Sequence, residues 1–191
     1  KIKNALISVS DKSGLEELIT SLNQNNVSIF STGGTAKFIE SLGINVTQVS
    51  EITSFPEIMD GRVKTLNPLI YGGILNRSGI DDHVQKEHGM INLDLMVINL
   101  YPFEETISGN NVSELEAIEN IDIGGPSMIR ASAKNFYNKA ILTHPDDYGP
   151  FINELQNNHC SISEKTRRSL AVNAFMRTAM YDSIIHGFFS E

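Results

Sequence analysis

The sequence predicts an α/β domain in which helices cover both faces of a mostly parallel sheet. Short apolar runs typical of strands alternate along the 191-residue chain with segments of helical periodicity. Hydrophobic residues make up 40% and charged residues 20% of the chain, as in an ordinary globular protein. Right-handed crossovers between parallel strands place the intervening helices on both faces. We therefore expect one domain that spans residues 1–191.

Two strand–helix units open the chain. The strands predicted in the N-terminal part are Ala5–Val9, Val27–Phe30 and Ile44–Val49. Ser13 and Glu16 form an S-x-x-E capping box, which predicts a helix from about Gly14. A second helix follows the segment STGGTAKF (31–38). Residues 51–79 are rich in glycine, proline and polar side chains, which predicts a long functional loop with short elements.

The C-terminal part continues the alternation. The strands predicted there are Leu93–Leu100, which we expect to be central, and Ala140–Leu142. Helices are predicted at the Ser113–Glu116 capping box, from Gly125 to about Asn135, and over Ser163–Phe189. The apolar side of the last helix is expected to carry Ala171, Phe175, Thr178, Tyr181 and Ile185.

Ligands of such sheets bind beyond the carboxyl ends of the strands. The stretches Ser8–Ser13, Ser31–Thr35 and Asn99–Pro102 each follow a predicted strand, so we expect them at one edge of the sheet. In Ser31–Thr35 two glycines lie between hydroxyl side chains where a strand leads into a helix. Unpaired N–H groups at such a helix start suit a phosphate. An ordinary tight turn with a hydroxyl cap gives the same pattern.

The segment MDGRVKTLNP (59–68) adds cationic groups. In an extended segment Arg62 and Lys64 point to the same side, with Thr65 beside them, and could meet one anionic ligand. A solvated basic surface strand is the alternative interpretation.

Polar groups also follow the later strand and helix signals. Asn99 and Tyr101 lie at the end of Leu93–Leu100, Asp122 precedes a Gly-Gly-Pro turn, and Lys134 lies in the helix after it. Each has a structural alternative: a tyrosine packed at the edge of the core, a turn or cap aspartate, and a surface lysine.

Composition excludes several classes of function. The net charge of −8 argues against a general nucleic-acid binder. No apolar run is long enough to span a membrane, and one cysteine forms no disulfide framework, so we expect a cytoplasmic protein. The five histidines and the single cysteine show no metal-ligand spacing, so we expect neither a metal nor an organic cofactor.

Seven runs, in this order, resemble the inosine monophosphate (IMP) cyclohydrolase domain of the bifunctional purine-synthesis protein that also carries a transformylase. The runs are SVSDKSG, STGGTAKF, FPEIMDGRVKTL, GGIL, NLYPF, ENIDIGGPSMIRASAKN and AFMRTAMYDSII. The resemblance covers essentially the whole chain and implies a methylglyoxal-synthase-like three-layer α/β/α fold. The transformylase half, to which the domain is normally fused, is absent from the sequence.

The resemblance implies closure of the purine's six-membered ring. The substrate would be a formylated aminoimidazole carboxamide ribotide, and the products IMP and water. The catalytic group would be Lys64, Tyr101, Asp122 and Lys134, with Lys134 as the proton shuttle. The residues expected to bind the substrate are Ser10, Asp11, Lys12, Thr32, Gly33, Gly34, Thr35, Arg62, Val63, Lys64, Thr65, Ile98, Asn99, Asp122 and Ile123.

The sequence departs from the family pattern at two places, since Asn67 and Tyr71 replace histidines. Two alternatives stay open: a methylglyoxal-synthase-like lyase, and a non-catalytic domain that senses a phosphorylated effector. The lyase would need a histidine near the phosphate loop, and none is predicted there. We also expect a homodimer, because Phe188 and Phe189 near the chain end could be covered by a partner surface.

Overall fold

The computed structural model describes residues 1–59, 61–108 and 112–190. The strands are β1 (Asn4–Ser8), β2 (Ser28–Ser31), β3 (Thr47–Gln48), β4 (Leu95–Ile98) and β5 (Ala140–Leu142). The helices are α1 (Leu15–Gln24), α2 (Gly33–Ser41), α3 (Val49–Thr53), α4 (Pro68–Leu75), α5 (Asp82–Glu87), α6 (Phe103–Ile107), α7 (Glu114–Glu119), α8 (Gly124–Lys134), α9 (Tyr148–Asn157) and α10 (Glu164–Phe189), with a 3₁₀ turn at Pro145–Asp147. Within these ranges no helix is long and apolar enough to cross a membrane.

The five strands form one parallel sheet in the order β3-β2-β1-β4-β5. β1 lies in the middle, with Leu6 opposite Phe30 of β2 and opposite Met96 of β4. β4 is fully buried and paired on both sides, although β1 rather than β4 is the central strand. All carboxyl ends lie at the same edge, which confirms the predicted mostly parallel sheet.

Alternation along the strands divides the core into two layers. On β1, Ala5 and Ile7 join a cluster with α1 and α9, whereas Leu6 joins a second cluster with α4, α8 and α10. Successive side chains of a strand point to opposite faces, so a strand buried on both faces is apolar at every position. The predicted three-layer α/β/α architecture is therefore confirmed.

Local capping chemistry corrects two of the predicted element boundaries. α1 begins after Gly14, which adopts a left-handed conformation (φ 68°), and the Ser13 hydroxyl donates to Asp11 instead of capping the helix. The Ser13–Glu16 capping box is thus wrong, whereas the Ser113–Glu116 box is present. The third strand is shortened to Thr47–Gln48, because Gln48 and Glu51 form a capping box that starts α3.

The buried face of helix α10 agrees with expectation at Ala171, Thr178 and Tyr181 and differs from it at Phe175. Its buried side chains are Leu170, Ala171, Ala174, Thr178 and Tyr181. Phe175, predicted to be buried, is 40% exposed. Phe188 packs against Phe103 of α6 within the same chain, with ring centroids 5.7 Å apart. Of the two phenylalanines proposed for a partner surface, only Phe189 has a largely exposed side chain, and the expected homodimer stays a prediction.

Two polar side chains tie the strand ends together at the carboxyl edge. The buried Thr35 hydroxyl accepts from Val9 N–H (3.1 Å) and donates to Val9 C=O (3.0 Å), which fixes α2 to the end of β1. Asn99, after β4, accepts from Ser10 N–H (2.7 Å) and donates its amide to Asp11 C=O (2.8 Å). These bonds satisfy backbone groups that would otherwise be left without partners where the sheet ends.

Thr35→Val tests the first of these ties. Valine keeps the branched shape but leaves the N–H and C=O of Val9 without their partner, so the free energy of unfolding should fall by about 1–3 kcal/mol. Thr20→Val on the exposed side of α1 is the control and should change it by less than about 0.5 kcal/mol. Urea unfolding measures both, and equal stability of the two variants would contradict the role given to Thr35.

Candidate functional site

The turn between β2 and α2 presents an open helix start. Thr32 is extended (φ −133°, ψ 156°) and makes no side-chain capping bond. Gly33 has φ +51°, a left-handed conformation that a side chain would strain. The first-turn N–H groups of α2 point past the end of β2, where the helix dipole favours an anion. This geometry agrees with the predicted phosphate loop, except that the Thr35 hydroxyl is used inside the fold.

Lys64 places its ammonium beside this turn. A Cβ built on Gly33 would lie 3.9 Å from Lys64 Nζ. The same ammonium is 3.1 Å from Glu57 Oε1, and both side chains are partly exposed. Together they line a cavity of about 240 Å³ with Thr32, Gly33, Gln48, Val49, Ser50, Phe55 and Pro56. Whole-ligand pockets typically measure roughly 300–1,000 Å³, so a nucleotide would extend from this cavity across the open edge.

Asp122 occupies the start of the other helix at this edge. Its Oδ1 accepts from Gly125 N–H at 2.9 Å, and its own N–H donates to the Tyr181 hydroxyl at 2.8 Å. A Cβ on Gly125 would lie 2.2 Å from Asp122 Oδ2, so only glycine leaves room for the carboxylate. Burial raises the pKa of Asp122, and the Gly125 N–H, the Lys64 ammonium and the Gly124 N–H offset part of that rise.

Lys64 therefore lies between two helix starts, one open and one occupied by a carboxylate. Thr65, the next residue, is buried, and its hydroxyl would be 3.0 Å from a Cβ on Gly124. Lys64 and Thr65 thus form a crossing segment that links the start of α2 to the start of α8. The structure brings together three parts of the chain that are far apart in sequence: the Gly33 turn, the neighbours Lys64 and Thr65, and Asp122.

The first loop is held in place by Asn99. The Ser10 hydroxyl donates to Asn99 Oδ1 or to Leu100 C=O, each at 3.0 Å. Lys12 contacts Ser10 C=O at 3.4 Å and lines a different groove, of about 530 Å³, between α1, α2 and α9. Ser10 and Asp11 are thus at the predicted edge, but the Lys12 side chain lies toward the α1 side of it.

Several predicted substrate contacts have other partners in the structure. Arg62 forms an exposed, two-pronged ion pair with Glu119 of α7. Val63 bridges to Ile58 in the loop, and Ile98 is buried at the end of β4. Tyr101 and Ile123 lie at the correct edge with exposed side chains, 57% and 62% respectively. Arg62 and Thr35 thus have partners within the chain, and their part in substrate binding stays a prediction.

Lys134 is not brought to this cluster. It is exposed and is the last residue of α8, whose first turn carries Asp122's hydrogen-bond donors. With a rise of 1.5 Å per residue, the length of α8 separates Lys134 from that turn by about 15 Å. The proton-shuttle role that the resemblance implied for Lys134 has no support in the geometry of one chain.

Four residues near the site were not predicted as functional. Tyr71 contacts Ser127 in the first turn of α8, and Tyr181 of α10 holds the backbone of Asp122. His144 follows β5 at the carboxyl edge, although no histidine was expected there, and its Nδ1 accepts from Asp146 N–H at 3.3 Å. Asn67, at the other position where the family has histidine, caps α4 by accepting from Leu69 N–H at 2.9 Å.

Comparison with known proteins identifies the family of this chain. The family model for the MGS-like domain matches residues 14–127, which hold the Gly33 turn, Lys64 and Asp122. The chain belongs to the MGS-like domain family. A second family model, for the AICARFT/IMPCHase bienzyme, matches residues 132–191. This MGS-like chain is similar to the protein described as "Crystal structure of ForH", with 30% identity and a TM-score of 0.89 over 98% of this chain and 97% of that one.

The ionised Asp122 carboxylate should lower the stability of the folded protein. Because its pKa is raised in the folded protein, the folded state binds more protons, and this contribution to stability is lost as pH rises above the ordinary value of 3.8. Asp122→Asn keeps an oxygen for Gly125 N–H without the buried charge, so it should stabilise the protein near neutral pH.

Urea unfolding of Asp122→Asn and the parent chain at several pH values between about 4 and 8 checks this. The advantage of the variant should grow with pH over that window. A variant that is less stable at neutral pH, or an advantage that shrinks with pH, would contradict the assignment of a destabilising buried carboxylate.

Proposed function

We propose that the chain is an IMP cyclohydrolase, which closes the six-membered ring of a formylated aminoimidazole carboxamide ribotide and releases water. The observation that carries the proposal is the position of Lys64. Its ammonium lies beside an open helix start and within electrostatic reach of Asp122. The bienzyme match supports the same reaction, and with it a purine ribotide monophosphate as substrate and fusion to a transformylase.

The substrate phosphate is proposed to bind at the first turn of α2. The N–H groups there supply directed donors, and Lys64 supplies a positive charge beside them. Glu57 forms an ion pair with Lys64 in the structure. Because ion pairs between partly exposed side chains contribute only about 0–1 kcal/mol, a bound ribotide can displace Glu57 at little cost.

Asp122 is the proposed base. The carboxamide nitrogen is a poor nucleophile, so a proton must leave it as the nitrogen attacks the formyl carbon. Burial makes the Asp122 carboxylate more basic than an exposed one, which suits it to accept that proton. The bond between the carboxamide nitrogen and the formyl carbon forms, and the formyl oxygen becomes an oxyanion.

Lys64 is proposed to stabilise that oxyanion. A fixed ammonium next to the developing charge lowers the barrier without reorganisation of solvent. The oxygen then leaves as water with the carboxamide proton and the proton of the formamide N–H, which balances the reaction. Tyr101, exposed at the same edge, is proposed to contact the substrate once it covers the opening.

Ring-closing kinetics of three lysine variants and one aspartate variant test these roles. Lys64→Met and Asp122→Asn should each lower kcat by about 100-fold or more, since each removes a charged group from the transition state. Lys134→Met should lose less than about 10-fold, because Lys134 is a helix length away. Lys86→Met on the exposed side of α5 is the control.

The outcomes separate the candidate functions. Loss in Lys134→Met as large as in Lys64→Met would return the shuttle role to Lys134. No ring closure by the parent chain, combined with tight IMP binding, would replace the proposal with the effector-sensing alternative. Release of inorganic phosphate from a triose phosphate, without ring closure, would replace it with the lyase.

A further inference from the structure

Tyr71 stands where the family pattern has a histidine, and the site described above gives it no task. It lies in the first half of α4, and its hydroxyl contacts the Ser127 hydroxyl of α8. Ser127 Oγ is also 2.9 Å from Gly124 C=O. Since a serine hydroxyl has a single proton, which Ser127 gives to the Gly124 carbonyl, the Tyr71 hydroxyl is the donor to Ser127.

These bonds continue to Asp122 through one peptide group. The carbonyl of Gly124 and the N–H of Gly125 belong to the same peptide unit. The carbonyl accepts from Ser127, and the N–H donates to Asp122 Oδ1 at 2.9 Å. Hydrogen bonds arranged in series polarise one another, so a donor at the carbonyl strengthens the N–H at the other end of the peptide.

We propose that Tyr71 is a positioning residue, which acts on the Asp122 carboxylate through Ser127 and the Gly124–Gly125 peptide. The chain of donors keeps Asp122 ionised and oriented, which a base requires before it accepts a proton. The role of Tyr71 in turnover rests on the proposed cyclohydrolase function. The effect of Tyr71 on the pKa of the Asp122 carboxyl group does not depend on that function.

The position of Tyr71 is fixed by its own helix. Asn67 caps α4, and Tyr71 N–H donates to Asn67 C=O at 3.0 Å. On the opposite side, Leu93 N–H donates to Gly73 C=O at 3.1 Å, which holds α4 against the segment before β4. Ile70 and Ile74 pack in the same core cluster as Met128 and Ile129 of α8. The contact between Tyr71 and Ser127 therefore lies across a fixed helix–helix interface.

The charged and titratable groups around Asp122 determine the direction in which its pKa should change. Within the described residues, those facing it are Lys64 of the crossing segment, Tyr71 of α4 and Tyr181 of α10, with Asp182 next to Tyr181. Burial raises the pKa of Tyr71, and the Asp122 carboxylate raises it further, so Tyr71 keeps its proton and remains a donor. Loss of this donor should raise the pKa of Asp122.

The test is a carbon-13 NMR titration of the Asp122 carboxyl in the whole chain. In Tyr71→Phe, which keeps the ring, the pKa of Asp122 should rise by about 0.5 unit. Ser127→Ala removes the direct donor to the Gly124 carbonyl and should give a rise at least as large. The double variant should add nothing further, because both changes interrupt one path. Tyr137→Phe, at an exposed tyrosine after α8, is the control and should leave the value unchanged.

The titration and the kinetics test different claims. An unchanged Asp122 pKa in Tyr71→Phe, a shift there that is absent in Ser127→Ala, or additive shifts in the double variant would each overturn the proposal. If the parent chain does not close the ring, the cyclohydrolase function fails and the titration still decides the coupling. If it does, the acid limb of kcat in Tyr71→Phe should move up by the same 0.5 unit or so, with KM nearly constant.

Discussion

β1 is hydrogen-bonded to β2 on one side and to β4 on the other, with all three strands pointing the same way. This alignment brings the loops after three strands to one edge of the sheet. The Thr35 hydroxyl then ties α2 to β1, and Asn99 ties the first loop to β4. These bonds fix the open start of α2 and the first loop relative to the ends of β1 and β4.

Electrostatics at this edge is local rather than global. The chain carries a net charge of −8, yet the ammonium of Lys64 lies beside the first turn of α2. Asp122 fills the start of α8, so an incoming anion finds one open helix start and one closed one. A single cation between them can neutralise a phosphate on one side and lower the pKa of a carboxyl on the other. Under the proposed function, this asymmetry would give the two ends of the ribotide different surroundings.

The strands and the phosphate turn could be predicted because apolar runs and a Gly-Gly turn are local patterns. Side-chain partners could not, since the bond between Thr35 and Val9 depends on how β1 and α2 meet. Lys134 lies at the end of a helix that begins just after Asp122, so the predicted helix already indicated a large separation between the two residues. Tyr71 could be identified only as a departure from the family, because its contact with Ser127 depends on how α4 and α8 pack together.

A crystal structure of the chain with bound IMP would show where the phosphate and the base bind. We expect the phosphate within hydrogen-bond distance of the N–H groups of Gly33 and Gly34, with Lys64 released from Glu57. The six-membered ring should lie over the first turn of α8, close to the Asp122 carboxyl. A phosphate in the groove lined by Lys12 between α1 and α9, or a base directed away from Asp122, would contradict the proposed binding mode.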